Sequence, residues 1–356
     1  MAKQEDRQQS LQLLKNDIRQ RQPARLYFFH GEETFLLNYY LQQLKKILVD
    51  ELTESFNFHK FTSENFTLQA FADAVESLPM MAEHTFVWVD EIDIFKLSQE
   101  DRERLTELFG DVPDYCTVVF TYVTTPWKPD GRLKKPDGRL KKLAASVEAN
   151  GTAVEFAKQN QRELVNWIGR HFAAEGKRIA PELCVYLIEL TGGTMTALAG
   201  EISKICAYSG AELIDKSDID AVVEPVLDAV AFQMTNFMAE GAYAKALQKL
   251  QQLLKMQQKP LAILGAVGWQ FRRLSAAKIL HESGKSSSDL MRMYRGMSPY
   301  NARNTMDLAK RFSHRFYARA AELILETDRQ MKTSFDEPER LLEVLVMELA
   351  VEARNG

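Results

Sequence analysis

Two stretches carry residue types at spacings that could do nucleotide chemistry. In Phe86-Val87-Trp88-Val89-Asp90-Glu91 an acidic pair follows four apolar residues. In a P-loop ATPase, an aspartate at such a strand end supports Mg²⁺ and the following glutamate polarises water. The same residues also suit a buried strand that runs into a solvated turn. Hydrolysis further needs a phosphate cradle, G-x-x-x-x-G-K-[ST], in which backbone N–H groups wrap the phosphates and a lysine meets their charge. The corresponding stretch is His30-Gly31-Glu32-Glu33-Thr34-Phe35-Leu36-Leu37, with one glycine and no Gly-Lys-Ser/Thr. Glu32 and Glu33 would stand where anionic phosphates belong, an electrostatic mismatch at a helix start. ATP hydrolysis at this position is therefore not expected, and Asp90-Glu91 is either a solvated turn or a relic of an ATPase ancestor. Other catalytic arrangements are missing from the sequence. The histidines (His30, His59, His84, His171, His281, His314) are scattered without an H-E-x-x-H pattern, and there is no G-x-S-x-G elbow. Cys116, Cys184 and Cys206 are too few and too far apart for a disulfide framework or a zinc ribbon. No catalytic, cofactor-binding or metal-ligating residue, and no cofactor, is expected.

A third stretch could work by binding rather than by reaction. Ser77-Leu78-Pro79-Met80-Met81-Ala82-Glu83-His84 lies between a helical pattern and the Phe86 strand. Pro79 ends the helix, because the residue before a proline avoids the α region. Met80 and Met81 then fall at a loop tip. They either tuck under the domain as gap fillers or stand out as an apolar plug for a partner's pocket.

The elements around these stretches follow from hydrophobic patterning. The chain has 356 residues, enough for two or three domains. With 46% hydrophobic and 26% charged residues, it has an ordinary soluble composition. Lys+Arg 45 against Asp+Glu 49 gives a net charge of −4, which rules out a globally basic nucleic-acid binder. There is no stretch of spanning length and apolarity, and the opening MAKQEDRQQS is polar, so a cytoplasmic protein without a membrane partner is expected. Leu26-Tyr27-Phe28-Phe29, Phe86-Val87-Trp88-Val89, Thr117-Val118-Val119-Phe120 and Thr152-Ala153-Val154-Glu155-Phe156 read as strands buried on both faces. Phe56-Asn57-Phe58-His59-Lys60-Phe61 alternates like a more exposed strand. Helical patterns lie between these runs, which predicts a mainly parallel sheet covered on both sides. After about residue 157 the strand signals fade and the pattern is helical to the end, with breaks at Gly241, Lys259-Pro260, Gly284 to Ser288, Met297 to Pro299 and Asp336 to Pro338. The expected division is an α/β domain at residues 1–149, a small helical domain at 150–223 and a larger helical domain at 224–356.

Charge is distributed unevenly. Residues 241–320 hold 15 Lys/Arg and three Asp/Glu, a local net of +12 that includes Arg272-Arg273 beside Trp269 and Phe271. Pro129-Asp130-Gly131-Arg132-Leu133-Lys134-Lys135 is repeated at once as residues 136–142, a local duplication rather than a solenoid repeat. Arg132, Lys134, Lys135, Arg272 and Arg273 are the candidate DNA-contacting residues, through sequence-independent phosphate contacts. Solvated helix faces and subunit salt bridges would account for the same charges.

Together these residues resemble the delta subunit family of bacterial DNA polymerase III, over nearly the whole chain. The markers are Leu26 to Glu33 without the lysine, the Ser77-Leu78-Pro79-Met80-Met81 turn, Leu198-Ala199-Gly200-Glu201-Ile202-Ser203-Lys204-Ile205, Gly296 to Tyr300 with Ala309 to Ser313, and Asp328 to Lys332 followed by Asp336-Glu337-Pro338. Each motif is loose, and their order and spacing make the match. The resemblance implies an AAA+-like N-terminal domain with a degenerate P-loop, a helical lid and an all-α collar that mediates oligomerisation. It implies a clamp-loader subunit that does not hydrolyse ATP itself, although it serves a DNA-directed DNA polymerase (nucleotidyltransferase) holoenzyme. The implied partners are the sliding clamp, ATPase siblings in a hetero-oligomeric ring, and primed DNA. It maps an apolar clamp-binding wedge onto Met80 and Met81, supported by Leu78 and Pro79. Asp90-Glu91 is more ATPase-like than the family pattern. The alternatives are an ATP-binding AAA+ ATPase subunit and a helical DNA-binding adaptor.

Overall fold

The computed structural model describes residues 2–125, 138–294, 297 and 299–355. Arg132, Lys134, Lys135 and most of the doubled heptapeptide lie outside the described residues. The chain forms two compact units, Met1–Gln159 and Asn160–Gly356.

In the first unit the elements are α1 (Ala2–Gln20), β1 (Leu26–His30), α2 (Thr34–Leu48), α3 (Glu54–Asn57), β2 (Phe58–Phe61), α4 (Leu68–Glu76), β3 (Thr85–Asp90), α5 (Gln99–Gly110), β4 (Cys116–Tyr122), α6 (Gly138–Asn150) and β5 (Thr152–Glu155). The five strands form one parallel sheet in the order β2-β3-β4-β1-β5. Successive side chains of a strand point to opposite faces, and β1 shows this directly. Leu26 and Phe28 join Val87, Val118 and Phe120 in a core covered by Phe71 of α4, Leu105 and Phe109 of α5, and Leu143 of α6. Tyr27 and Phe29 join Phe86, Val119 and Val154 in a second core covered by Leu14 of α1 and Leu37, Leu41 and Leu44 of α2. Two buried faces explain why the central strands are apolar throughout instead of alternating.

Two strands differ from the sequence expectation: β5, at the sheet edge, is not buried on both faces but leaves Ala153 and Glu155 exposed, and β2 is shorter than its pattern suggested. β2 starts at Phe58, and Phe56-Asn57 ends a helical turn closed by the N–H groups of Phe56 and Asn57 on the Thr53 carbonyl. The alternation of Phe56, Phe58 and the residues after them suggested a longer strand, but the Asn57 side chain is committed elsewhere.

The second unit is mainly helical: α7 (Gln161–Ala174), β6 (Arg178–Ile179), α8 (Pro181–Thr191), α9 (Met195–Tyr208), β7 (Leu213–Ile214), α10 (Lys216–Val222), α11 (Leu227–Ala239), α12 (Tyr243–Lys255), α13 (Pro260–Glu282), α14 (Ser287–Met293), α15 (Pro299–Ala309), α16 (His314–Thr333) and α17 (Pro338–Asn355). Its boundaries are written in cap chemistry. Asn160 with Glu163 and Asp215 with Asp218 form capping boxes, Pro181 and Pro260 open helices, and Gly192 in the left-handed region stops α8. β6 and β7 pair in parallel over two residues each, too short to leave a pattern in the sequence. From α11 onward one core runs through Met234, Leu250, Phe271, Phe316 and Leu345. Among the described residues no single helix is long and apolar enough to cross a membrane.

Candidate functional site

A parallel sheet has two distinct ends, and the first unit uses both. The loops after β1 and β3 leave its carboxyl edge, where open α/β sheets bind ligands. The Met80-Met81 turn enters β3 and so lies at the amino edge.

The turn is built from α4 outward. Thr67 caps α4, its side chain accepting from the Ala70 N–H, and Phe71, Ala72 and Val75 are buried under the sheet. Ser77 is extended ahead of Pro79 and stops the helix. The hydroxyl of Tyr115 donates to the last helical carbonyl, Glu76 O, at 2.9 Å, and the N–H of Thr85 donates to Tyr115 O at 2.8 Å. Tyr115 therefore grips the chain on both sides of the turn. Between these grips Leu78 is 75% exposed, Met80 55% and Met81 93%, while Pro79 is half-buried. The structure brings the four candidate wedge residues together at one tip and leaves both methionines out of the core.

A polar residue that the sequence did not single out holds this tip. Asn57 is wholly buried; its carboxamide Oδ1 accepts the Met80 N–H at 2.7 Å and its Nδ2 donates to Met80 O at 2.9 Å. Met81 next to it has φ 53°, a left-handed conformation uncommon for a residue with a side chain. The one available signal was an amide inside an apparent strand, where Asn is disfavoured. Asn57 also sits beside exposed Phe56, and Leu52 a turn earlier is 90% exposed.

At the carboxyl edge, the loop that would cradle a phosphate is stitched shut. Gly31 has φ 129°, and a Cβ on it would lie 2.3 Å from Phe156 O. Its N–H donates to Tyr122 O at 3.2 Å, Glu33 N–H to Phe156 O at 2.8 Å, and Phe156 N–H to His30 O at 2.7 Å. Donors that wrap a phosphate in a P-loop here bind β4 and the segment after β5. The Glu33 side chain is buried, and burial raises its carboxyl above the ordinary value against the opposing Phe35 N–H and Lys158 charge. Burial likewise pushes the His30 imidazole down to about 4, so it is neutral at physiological pH.

Both members of the acidic pair hold structure. Glu91 has φ 59°, and its carboxylate accepts the N–H groups of Val123, Thr124 and Thr125 and the Thr124 hydroxyl. Burial pushes its pKa up, but these donors outweigh it and hold the carboxyl below the usual glutamate value. Asp90 accepts from the Thr121 hydroxyl at 2.7 Å, and Lys60 Nζ lies 3.5 Å from it and 3.7 Å above the Trp88 ring. Among the described residues no group of three or more His, Cys, Asp or Glu could hold a metal ion.

The two described basic candidates behave differently. Arg272 is exposed and lies 5.5 Å above the Trp269 ring. Arg273 is half-buried, its Nη1 3.4 Å from Gln270 Oε1, and burial lowers its pKa. Several other cations of the basic stretch pair with acids three or four residues away: Lys278 with Glu282, Arg292 with Asp289, Lys310 with Asp307, Arg319 with Glu322.

The strand order, the covered sheet and the closed loop after β1 define an α/β module with a parallel sheet, followed along the chain by a helical region. The profile of "DNA polymerase III, delta subunit" matches residues 27–152, and that of "DNA polymerase III delta subunit, C-terminal domain" matches residues 228–349. The chain is 26% identical to the DNA polymerase III subunit delta of Bacillus subtilis over 331 residues, covering 91% of this chain and 92% of the relative. It is 22% identical to a probable DNA polymerase III subunit delta of Aquifex aeolicus over 272 residues, 75% of this chain and 74% of that one. It shares the fold of the solved Bacillus subtilis DNA clamp loader delta protein, with a TM-score of 0.64, 23% identity, and 95% and 98% of the two chains covered. The chain belongs to the DNA polymerase III delta subunit family.

Proposed function

We propose that this delta subunit works by binding alone: it inserts the Leu78-Pro79-Met80-Met81 tip into an apolar pocket of the sliding clamp and holds the clamp open for loading onto primed DNA. The observation that carries this reading is the exposure of Met80 and Met81 on a turn anchored by Asn57 and Tyr115. Exposed apolar side chains on a fixed backbone are what a binding hot spot requires. Hydrolysis by this subunit is not part of the mechanism, because the loop after β1 uses its N–H groups internally and Asp90 and Glu91 are held by Thr121 and by residues 123–125. ATPase subunits of the same ring would supply that chemistry. In this reading residues 150–223 are the lid, residues 224–356 form the collar that joins the ring, and exposed Arg272 meets DNA phosphate.

A binder can shift a closed clamp toward an open one only by as much as its affinity differs between the two states. The tip provides the affinity. Burying one methionine side chain is worth roughly 1.5–3 kcal/mol. Losing both in Met80→Ala/Met81→Ala should weaken clamp binding by about a hundredfold or more. Surface-immobilised clamp titrated with the intact chain measures this, with circular dichroism to show that the fold is unchanged. Equal affinity of the double variant and the natural protein would remove the wedge assignment.

A further inference from the structure

We infer that Asn57 is the positioning residue of the wedge: its buried carboxamide fixes the Met80 backbone so that the tip meets the clamp already in its binding shape. This rests on the wedge reading above and adds to it a residue that itself makes no clamp contact.

The geometry is specific. Asn57 is wholly buried, yet it spends both polar ends of its side chain on one residue 23 positions away, accepting from Met80 N–H and donating to Met80 O. A carboxamide is the side chain that can offer an acceptor and a donor side by side. It pairs with Met80 as a neighbouring strand would, at a place where no strand is available. Phe58, the next residue, pairs with Phe86 of β3, so Asn57 is fixed to the sheet at the point where the turn enters it. The grip is on the backbone alone, and the Met80 side chain stays exposed. Without it, the stretch from Leu78 to Met81, with its left-handed Met81, would lose the hydrogen bonds that hold it to Asn57 between the two contacts of Tyr115. Ordering a loop on binding subtracts from affinity, and a loop ordered beforehand avoids that loss.

The test uses the intact chain and purified clamp. Asn57→Ala should weaken clamp binding by about ten- to a hundredfold and speed amide hydrogen exchange at Met80, while amides of the central strands, such as Phe28 and Phe120, keep their protection. Asn57→Asp, which keeps the size but loses the donor to Met80 O when ionised, should also weaken binding. Unchanged clamp affinity in Asn57→Ala, with Met80→Ala/Met81→Ala still losing it, would overturn the role of Asn57 and leave the wedge standing. Unchanged affinity in the methionine double variant would overturn both. If Asn57→Ala does not fold, exchange in the natural protein decides. A Met80 amide protected like a sheet amide supports the lock, and one that exchanges as freely as an open loop overturns it.

Discussion

Single residues at the two edges of the sheet have traded the roles their types suggest. Asp90 and Glu91 have the order of a catalytic pair and act as staples, whereas Met80 and Met81 look like core fillers and stand in solvent. The staple role of Glu91 has a pH signature. Its folded pKa lies below the ordinary 4.5, held down by the N–H donors of residues 123–125 against the upward push of burial. A depressed carboxylate contributes stability that is present above the unfolded pKa and is lost as pH falls through the folded value. Glu91→Gln should therefore be less stable than the natural protein near neutral pH and lose less on acidification below about 4.5. Urea midpoints at neutral and acid pH measure the difference, and parallel pH profiles for the two proteins would contradict the staple role.

At the scale of elements, the carboxyl-edge loop is held by close approach between backbones. Gly31 faces the Phe156 carbonyl with no room for a side chain and at a φ that favours glycine. Gly31→Ala should cost at least about 2 kcal/mol of stability, read as a lower urea midpoint. A fully stable variant would mean that the loop is free to rearrange. The glycine that suggested a phosphate cradle is thus required for closing the loop. Much of the framework was legible in the residues. Leu26 to Phe29, Phe86 to Val89 and Thr117 to Phe120 form strands because both of their faces are buried, and Pro181, Gly192 and Pro260 mark helix ends by their own backbone limits. The tip at Leu78 to Met81 was placed by Pro79 and by family resemblance. What stayed hidden depended on distant backbone partners. The bonds of Asn57 to Met80, of Tyr115 to Glu76 and of Glu33 N–H to Phe156 O join residues whose types carry no trace of the pairing. The exposure of Met80 was equally hidden, since a methionine at a loop tip suits a core or a partner's pocket.

For the whole molecule, separation of the edges matters most. The closed loop after β1 and the Leu78–Met81 tip lie at opposite ends of one parallel sheet. The near-neutral charge of −4 conceals a basic stretch of helices, and ion pairs such as Lys310–Asp307 and Arg319–Glu322 take up part of it. Arg272 is exposed above Trp269, while Arg273 is half-buried. The function proposed above is work through differential affinity rather than turnover. The direct measurement is the affinity of the intact chain, without nucleotide, for the closed clamp and for a clamp whose subunit interface has been broken by substitution. Binding that opens the clamp predicts clearly tighter association with the broken clamp, lost in both cases in Met80→Ala/Met81→Ala. Equal affinity for the two clamps would contradict it, because a ligand that does not distinguish two states cannot shift them.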